Sequence, residues 1–193
     1  MTAASYVRVL LLFGAQRLAE LLYSAANERS LRRRQPDVAQ AGRSVWKWIV
    51  AVNLALFTIP ALERRLRRRP PSRWLASVGW MLALSALALR LSVVATLRSQ
   101  WNARALVPAD LQVIDRGPYR WVRHPNYLAL GLEFLGLPLI GGAYISAAGL
   151  SLANSLLLRR RINEEDSLLM AMPAYRERMG HKPAFVPRRI SVR

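Results

Sequence analysis

Apolar residues along this chain gather in long blocks, and basic residues, nearly all of them arginine, gather between the blocks. A hydrocarbon core is crossed by roughly 20 mostly apolar residues in a helix. Residues 45–62 and 74–97 meet that requirement, and the second carries a single charge, Arg90. Both hold tryptophans near an end (Trp46, Trp48, Trp74), where amphipathic rings settle at headgroup level. A third apolar region, 127–158, is interrupted by Gly141–Gly142. Its length of roughly 32 residues suits a helical hairpin of two short or tilted spans. Residues 5–26 are apolar on one side but carry Arg8, Gln16, Arg17 and Glu20. They form either a span packed against other helices or an amphipathic helix lying in the interface. The expected fold is therefore all-α, a polytopic helical membrane protein of about 4–5 transmembrane helices that ends in a helical hairpin.

The 193 residues leave room for one domain, with N-terminal helices over 1–97 and a second half over 98–193. Basic connectors occupy 28–47, 63–73 and 98–123, and a basic tail follows from 159. Residues 98–123 and the tail lie on the same side of a hairpin that goes in and returns, and the positive-inside rule places both in the cytoplasm. The connectors flanking 45–62 are also both basic, although a simple crossing would separate them; the topology of the first two segments stays open.

Composition sharpens this picture. Just over half of the residues are apolar, yet the formal net charge is +18, a combination that basic loops beside a bilayer explain. Arginines crowd the apolar runs without the aromatic interleaving of a strand-binding groove. The expected partner is membrane lipid, whose anionic headgroups face such residues, and not nucleic acid. The absence of cysteine excludes disulfides, thiolate nucleophiles and cysteine-ligated metals. With His124 and His181 the only histidines, no metal site is expected. The short apolar run 9–13, soon followed by Arg17 and Glu20, reads as mature protein and not as a signal peptide.

Two stretches carry chemistry. The first is Gly117-Pro118-Tyr119-Arg120-Trp121-Val122-Arg123-His124-Pro125-Asn126-Tyr127. Its prolines and glycine make it a structured loop at the mouth of the hairpin, a plausible cradle for a ligand. The second is Arg159-Arg160-Arg161-Ile162-Asn163-Glu164-Glu165-Asp166. If the last long helix runs through it, Arg161 and Glu165 share one face. Taken alone, that pair is as readily a surface ion pair worth about 0.3–0.5 kcal/mol.

Together, GPYRWVRHPNY, the apolar hairpin, RINEEDSLL and a Tyr175…Pro187 tail resemble the isoprenylcysteine carboxyl methyltransferases and their bacterial relatives, over roughly residues 96–190. The resemblance implies S-adenosylmethionine bound without a Rossmann domain, and the chain has no glycine-rich nucleotide loop. It implies that Tyr119 and the block His124, Pro125, Asn126 and Tyr127 line the cofactor pocket. Leu111, Gln112, Val113 and Ile114 match a further cofactor-contacting stretch. Glu165 would hold the methionine ammonium, and Arg161 would meet an anionic group of the substrate and act in catalysis. Arg104 stands where eukaryotic members carry a cofactor-binding glutamine, Met179 where relatives repeat a tyrosine, and Met172-Pro173 where they carry Phe-Gly. The run from His124 to Ala129, with Glu133, Asn154 and the block from Arg17 to Asn27, is similar to bacterial members that accompany type III polyketide synthases. That similarity implies O-methylation of an alkylpyrone or phenolic lipid at a bacterial inner membrane.

A hydroxyl acceptor calls for a base, and Glu133, ionisable inside an apolar helix, is the candidate; Arg90 on the neighbouring helix is equally placed to neutralise it. His124 is either a cofactor contact or a brace for its loop. Three other functions are compatible with parts of the pattern: an NADPH-dependent sterol or steroid reductase with a similar loop, a phospholipid N-methyltransferase, and a non-enzymatic membrane scaffold. Nothing in the sequence speaks to oligomeric state.

Overall fold

The computed structural model describes residues 1–67 and 70–185. Residues 68 and 69 of one basic connector, and 186–193 of the tail with Pro187, lie outside the described residues. Six α-helices make up the described chain: α1 (Ala3–Arg34), α2 (Trp46–Leu66), α3 (Arg73–Leu97), α4 (Pro125–Gly141), α5 (Tyr144–Met170) and the short α6 (Pro173–Met179). A two-stranded antiparallel ribbon, β1 (Ala39–Gln40) against β2 (Leu106–Val107), ties the α1–α2 connector to the segment after α3.

Local chemistry explains most of the boundaries. Thr2 caps α1 by accepting from the Ser5 amide at 3.1 Å, and Arg32, Arg33 and Arg34 complement the dipole of its last turn. Pro125 and Pro173 open α4 and α6 at positions where a missing N–H costs nothing. Gly142, at φ 73, ends α4 in the left-handed conformation that glycine adopts most cheaply. The hairpin turn thus falls at the glycine pair, as the sequence predicts. The helix α5 has no capping side chain of its own. Glu63 of α2 supplies one from outside, accepting from the amides of Ile145 (3.1 Å) and Ser146 (2.7 Å) and from the Ser146 hydroxyl (2.6 Å). That contact explains why α2 continues past its apolar stretch into charged residues.

The helices α3 and α4 share the most extensive contact in the fold. The buried face of α3 is a stripe of Gly79, Ala83, Ala86, Arg90 and Val93, spaced three or four residues apart. Gly79 meets Gly136 of α4 so closely that a Cβ on either residue would stand 2.7–2.8 Å from backbone atoms of the other helix. Small residues at such a crossing let two backbones gain dispersion contacts where lipid offers no hydrophobic drive. Tyr6 of α1, fully buried, donates its hydroxyl to the Leu137 carbonyl at 3.0 Å and fills the space beside Gly141.

Among the described residues, two helices are long and apolar enough to cross a bilayer by length and composition, α1 and the stretch Arg73–Gln100 that contains α3. Their outer faces, with those of α2 and α5, expose Leu11, Leu12, Leu54, Met81, Leu91 and Leu152, a surface suited to lipid. The sequence leaves residues 5–26 between two readings. The structure makes them part of a 32-residue helix whose buried residues, Tyr6, Leu10, Phe13, Glu20 and Ser24, face the other helices.

The α3–α4 contact yields a paired test. Gly136→Ala should destabilise the protein by about 1–3 kcal/mol, because the added methyl must push two backbones apart. Gly131→Ala, also in α4 but with no atom within 4 Å of an added Cβ, should be neutral or stabilise by about 0.5–1 kcal/mol. Thermal unfolding of the detergent-solubilised variants reads both.

Candidate active site

The helix α5 runs about 40 Å and passes from the hairpin turn straight through the charged block. The arginine–glutamate stretch of the sequence is therefore helical, with Arg161 and Glu165 on one face. Three consecutive acids follow one another around the helix at roughly 100° per residue, and each reaches a different segment. Glu164 accepts from the Gly42 amide at 2.6 Å. Glu165 accepts from the Tyr127 hydroxyl. Asp166 accepts from His124 Nε2 at 2.8 Å and from Arg123 Nη1 at 3.3 Å.

These bonds bring the two motif stretches together across the apolar hairpin. The loop before α4 forms a 3₁₀ turn over Gly117–Arg120. A C-terminal strap covers it from outside. Lys182 Nζ donates to the Tyr119 carbonyl at 2.9 Å, and the amides of Arg123 and His124 donate to the carbonyls of Pro183 and Ala184, both at 3.0 Å. His124 is thus a brace in this structure, joined to α5 by its ring and to the strap by its backbone.

Arg161 is 5% exposed. Its guanidinium lies 5.5 Å from the Trp46 ring centroid and 5.6 Å from that of Tyr127, with Nη2 donating to the Ala103 carbonyl at 2.5 Å. Two aromatic rings within about 6 Å of the guanidinium stabilise the cation. Gly42, at φ 67, allows the connector to lie on the stem of this arginine; a Cβ there would stand 2.8 Å from Arg161 Cγ.

Leu111, Gln112, Ile114, Tyr119, His124, Asn126, Tyr127, Arg161 and Glu165 line one cleft of about 800 Å³, its open mouth included. Val113 packs behind it, against the small cluster of Leu169, Tyr175 and Met179. Pro125 is fully buried as the first residue of α4. Glu133 does not line the cleft. It lies further along α4, 1% exposed, paired with Arg17 of α1. Arg90 is not its partner: that guanidinium pairs with Glu20. Arg104 stands outside the cleft, against Glu28 (3.3 Å) and over the Trp46 ring.

One wall went unread in the sequence. Leu97 at the end of α3, and Gln100, Trp101, Asn102 and Ala105–Val107 of the segment after it, line the cleft. No motif marks that segment, and distant residues of α1 shape it. Asn27 donates to the carbonyls of Arg98 (3.0 Å) and Trp101 (2.9 Å), and Ser24 accepts from the Ala103 amide at 2.7 Å. The available signal was the spacing of Glu20, Ser24 and Asn27, polar residues on one face of an apolar helix. Tyr175 and Met179 also line the cleft.

Burial first, and then the nearby Glu165 carboxylate, push the phenols of Tyr119 and Tyr175 upward, so both stay protonated donors. Burial works against ionisation of Asp166, but the His124 hydrogen bond and the charge of Arg123 win and hold its carboxyl below the usual range.

Comparison with known proteins adds to this geometry. Residues 79–171 match the sequence model of the isoprenylcysteine carboxyl methyltransferase (ICMT) family. Over 154 residues the chain is 30% identical to the uncharacterized protein YpbQ of Bacillus subtilis (strain 168), covering 80% of this chain and 90% of that one. Over 100 residues it is 25% identical to a protein-S-isoprenylcysteine O-methyltransferase of Tribolium castaneum, covering 51% of this chain and 36% of that one. A solved structure of the eukaryotic intramembrane Ras methyltransferase ICMT aligns with a TM-score of 0.49 at 21% identity, over 70% of this chain and 48% of its own. The chain spans less than half the length of either named methyltransferase.

The junction at Asp166 has a definite pH dependence. A carboxyl lowered by folding stabilises fully above its unfolded value of about 4 and loses that contribution as pH falls through the lower folded value. Asp166→Asn removes the contribution at every pH, so it should cost about 1–2 kcal/mol at neutral pH. The gap from wild type should close as pH approaches about 3, as measured by thermal unfolding across a pH series.

Proposed function

The chain belongs to the isoprenylcysteine carboxyl methyltransferase family, and from that premise we propose that it is an integral membrane methyltransferase, using S-adenosylmethionine to methylate an oxygen of a lipophilic acceptor. The observation that carries this reading is the meeting of Tyr127, Arg161 and Glu165 in one cleft, although an apolar hairpin separates them in sequence.

The residues present fit that cofactor. The cleft offers one carboxylate, Glu165, beside the rings of Tyr119, Tyr127 and Tyr175, a setting that suits an ammonium and a sulfonium cation. The cofactor supplies a methyl group activated on a sulfonium. Glu165, oriented by the Tyr127 hydroxyl, holds the methionine ammonium. Tyr119, His124, Asn126 and Tyr127 form one side of the pocket, and Leu111–Ile114 the other, with Val113 and Pro125 acting through packing and backbone. Arg161, held near the rings of Trp46 and Tyr127, meets the anionic group of the acceptor and aligns it, which is the larger part of what a displacement requires. Glu133, held against Arg17 away from the cleft, serves in this reading as a fixed charge that positions α4 against α1 and not as a base.

The helices α1, α2 and α3 with the α4–α5 hairpin provide the proposed 4–5 crossings, with the cleft and the C-terminal strap on the cytoplasmic side of a bacterial inner membrane. The water-soluble cofactor enters from that side, and the acceptor's apolar tail enters from lipid between helices. A carboxyl or hydroxyl acceptor is consistent with this arrangement, with alkylpyrones and phenolic lipids the first to test.

The test uses detergent-solubilised protein, titrated with S-adenosylmethionine and then supplied with radiolabelled cofactor and a lipid extract. Wild type should bind the cofactor, ignore NADPH, and label a lipid. Glu165→Gln should weaken cofactor binding about 10- to 100-fold, as expected for a lost charge-assisted hydrogen bond. Arg161→Lys should keep cofactor affinity within about threefold while turnover falls at least about tenfold, since a point charge cannot replace a stacked fork. Absence of both binding and label in wild type refutes the proposal.

A further inference from the structure

The cleft has an inner wall that the histidine-containing loop does not build. Arg90, buried on α3, grips Glu20 of α1 with two of its nitrogens: Nε donates at 3.3 Å to Oε1, and Nη2 donates to Oε2. A bidentate grip of this kind fixes the guanidinium plane. The remaining nitrogen, Nη1, donates at 3.1 Å to Asn126 Oδ1, and the guanidinium carbon lies 6.0 Å from the Trp101 ring centroid. Asn126 and Trp101 both line the cleft.

A guanidinium has donors and no acceptor. Only the oxygen of the Asn126 amide can therefore face it, and the NH₂ end is left free for the cleft. Trp101 is 3% exposed, and its buried indole N–H meets no acceptor. Buried donors are rarely left unpaired, and an orphan beside a cleft marks a place for a ligand atom.

We propose that Asn126 Nδ2 and Trp101 Nε1 form a donor subsite for an oxygen-bearing end of the ligand, and that Arg90 is the positioning residue that sets both donors. The inference rests on the cleft being an S-adenosylmethionine site, in which case the acceptor is the methionine carboxylate or a ribose hydroxyl. The subsite lies on the wall fastened by α1, so the N-terminal helix takes part in ligand recognition through Glu20 without touching the ligand.

The test is calorimetric titration of the detergent-solubilised full chain with S-adenosylmethionine, together with the thermal midpoint of each variant without ligand. Asn126→Asp keeps an acceptor for Arg90 but has no donor left for the cleft; cofactor affinity should fall about tenfold or more. Trp101→Phe deletes the other N–H with little change of shape and should cost about three- to tenfold. Both midpoints should stay within about 5 °C of wild type. Arg90→Lys keeps the charge beside Glu20 but loses the fork, and should weaken binding in the wild-type background. On the Asn126→Asp background it should add little, because the donor it orients is already gone; a merely structural Arg90 would add its loss in full. With decarboxylated S-adenosylmethionine, the Asn126→Asp penalty vanishes if the carboxylate is the acceptor and persists if the ribose is. Wild-type binding combined with Asn126→Asp and Trp101→Phe affinities within twofold of it overturns the subsite alone. Failure of wild type to bind overturns the cofactor reading and the subsite together.

Discussion

Three adjacent carboxylates on α5 hold together the end of this protein that carries the cleft. Glu164, Glu165 and Asp166 project in three directions from one turn of helix, toward the α1–α2 connector, Tyr127 at the head of α4, and the loop containing His124. Each partner is a donor that would otherwise be left inside the fold without an acceptor. A rigid helix meets all three at once because its angular spacing is fixed, and a flexible segment carrying the same acids would first have to lose conformational entropy. The cleft is the space left among segments anchored in this way.

The helix bundle supports that arrangement with charge as well as with shape. Arg17 and Glu133 form one buried pair, and Arg90 and Glu20 another, all four on helices of the bundle. Within each pair the cation has its anion, so neither pair buries net charge, and removing one member would leave an uncompensated ion. Such pairs are costly to bury and gain little over apolar packing, which makes register between α1, α3 and α4 their more reasonable product. Glycine at the α3–α4 crossing contributes the complementary constraint. The backbones come close enough that the register of Arg90 relative to Asn126 is set to within a side chain's reach.

Much of this could be read from the sequence, and the legible parts share a physical character. The hairpin and its turn were visible because apolar length and a glycine pair are local signals. The shared face of Arg161 and Glu165 follows from helical spacing once the helix is assumed to continue. The segments that meet in the cleft were indicated by a block pattern carrying prolines and a histidine. What stayed hidden depends on partners some 70–120 positions apart. Whether Glu133 pairs with Arg90 or with Arg17 is decided by the rotation of α1, for which no local pattern exists. The wall at Trp101 and Asn102 has no regular structure and takes its form from Ser24 and Asn27. The β1–β2 ribbon has two residues per strand, too few for any alternation to show. Residues Val113 and Pro125 sit in segments that were identified, but one packs behind the cleft and the other starts a helix, a distinction that depends on backbone direction.

The strap over the histidine loop also bears on how the protein is made. The amides of Arg123 and His124 find their acceptors in Pro183 and Ala184, some sixty residues later in the chain. A nascent polypeptide leaves the ribosome N-terminus first, so the earlier helices can enter the bilayer and pair while those amides still have no protein acceptor. The cleft closes only after the last helices and the strap have emerged. A chain synthesised only as far as α5 therefore lacks Tyr175 and Met179 of the cleft lining as well as the acceptors of those two amides.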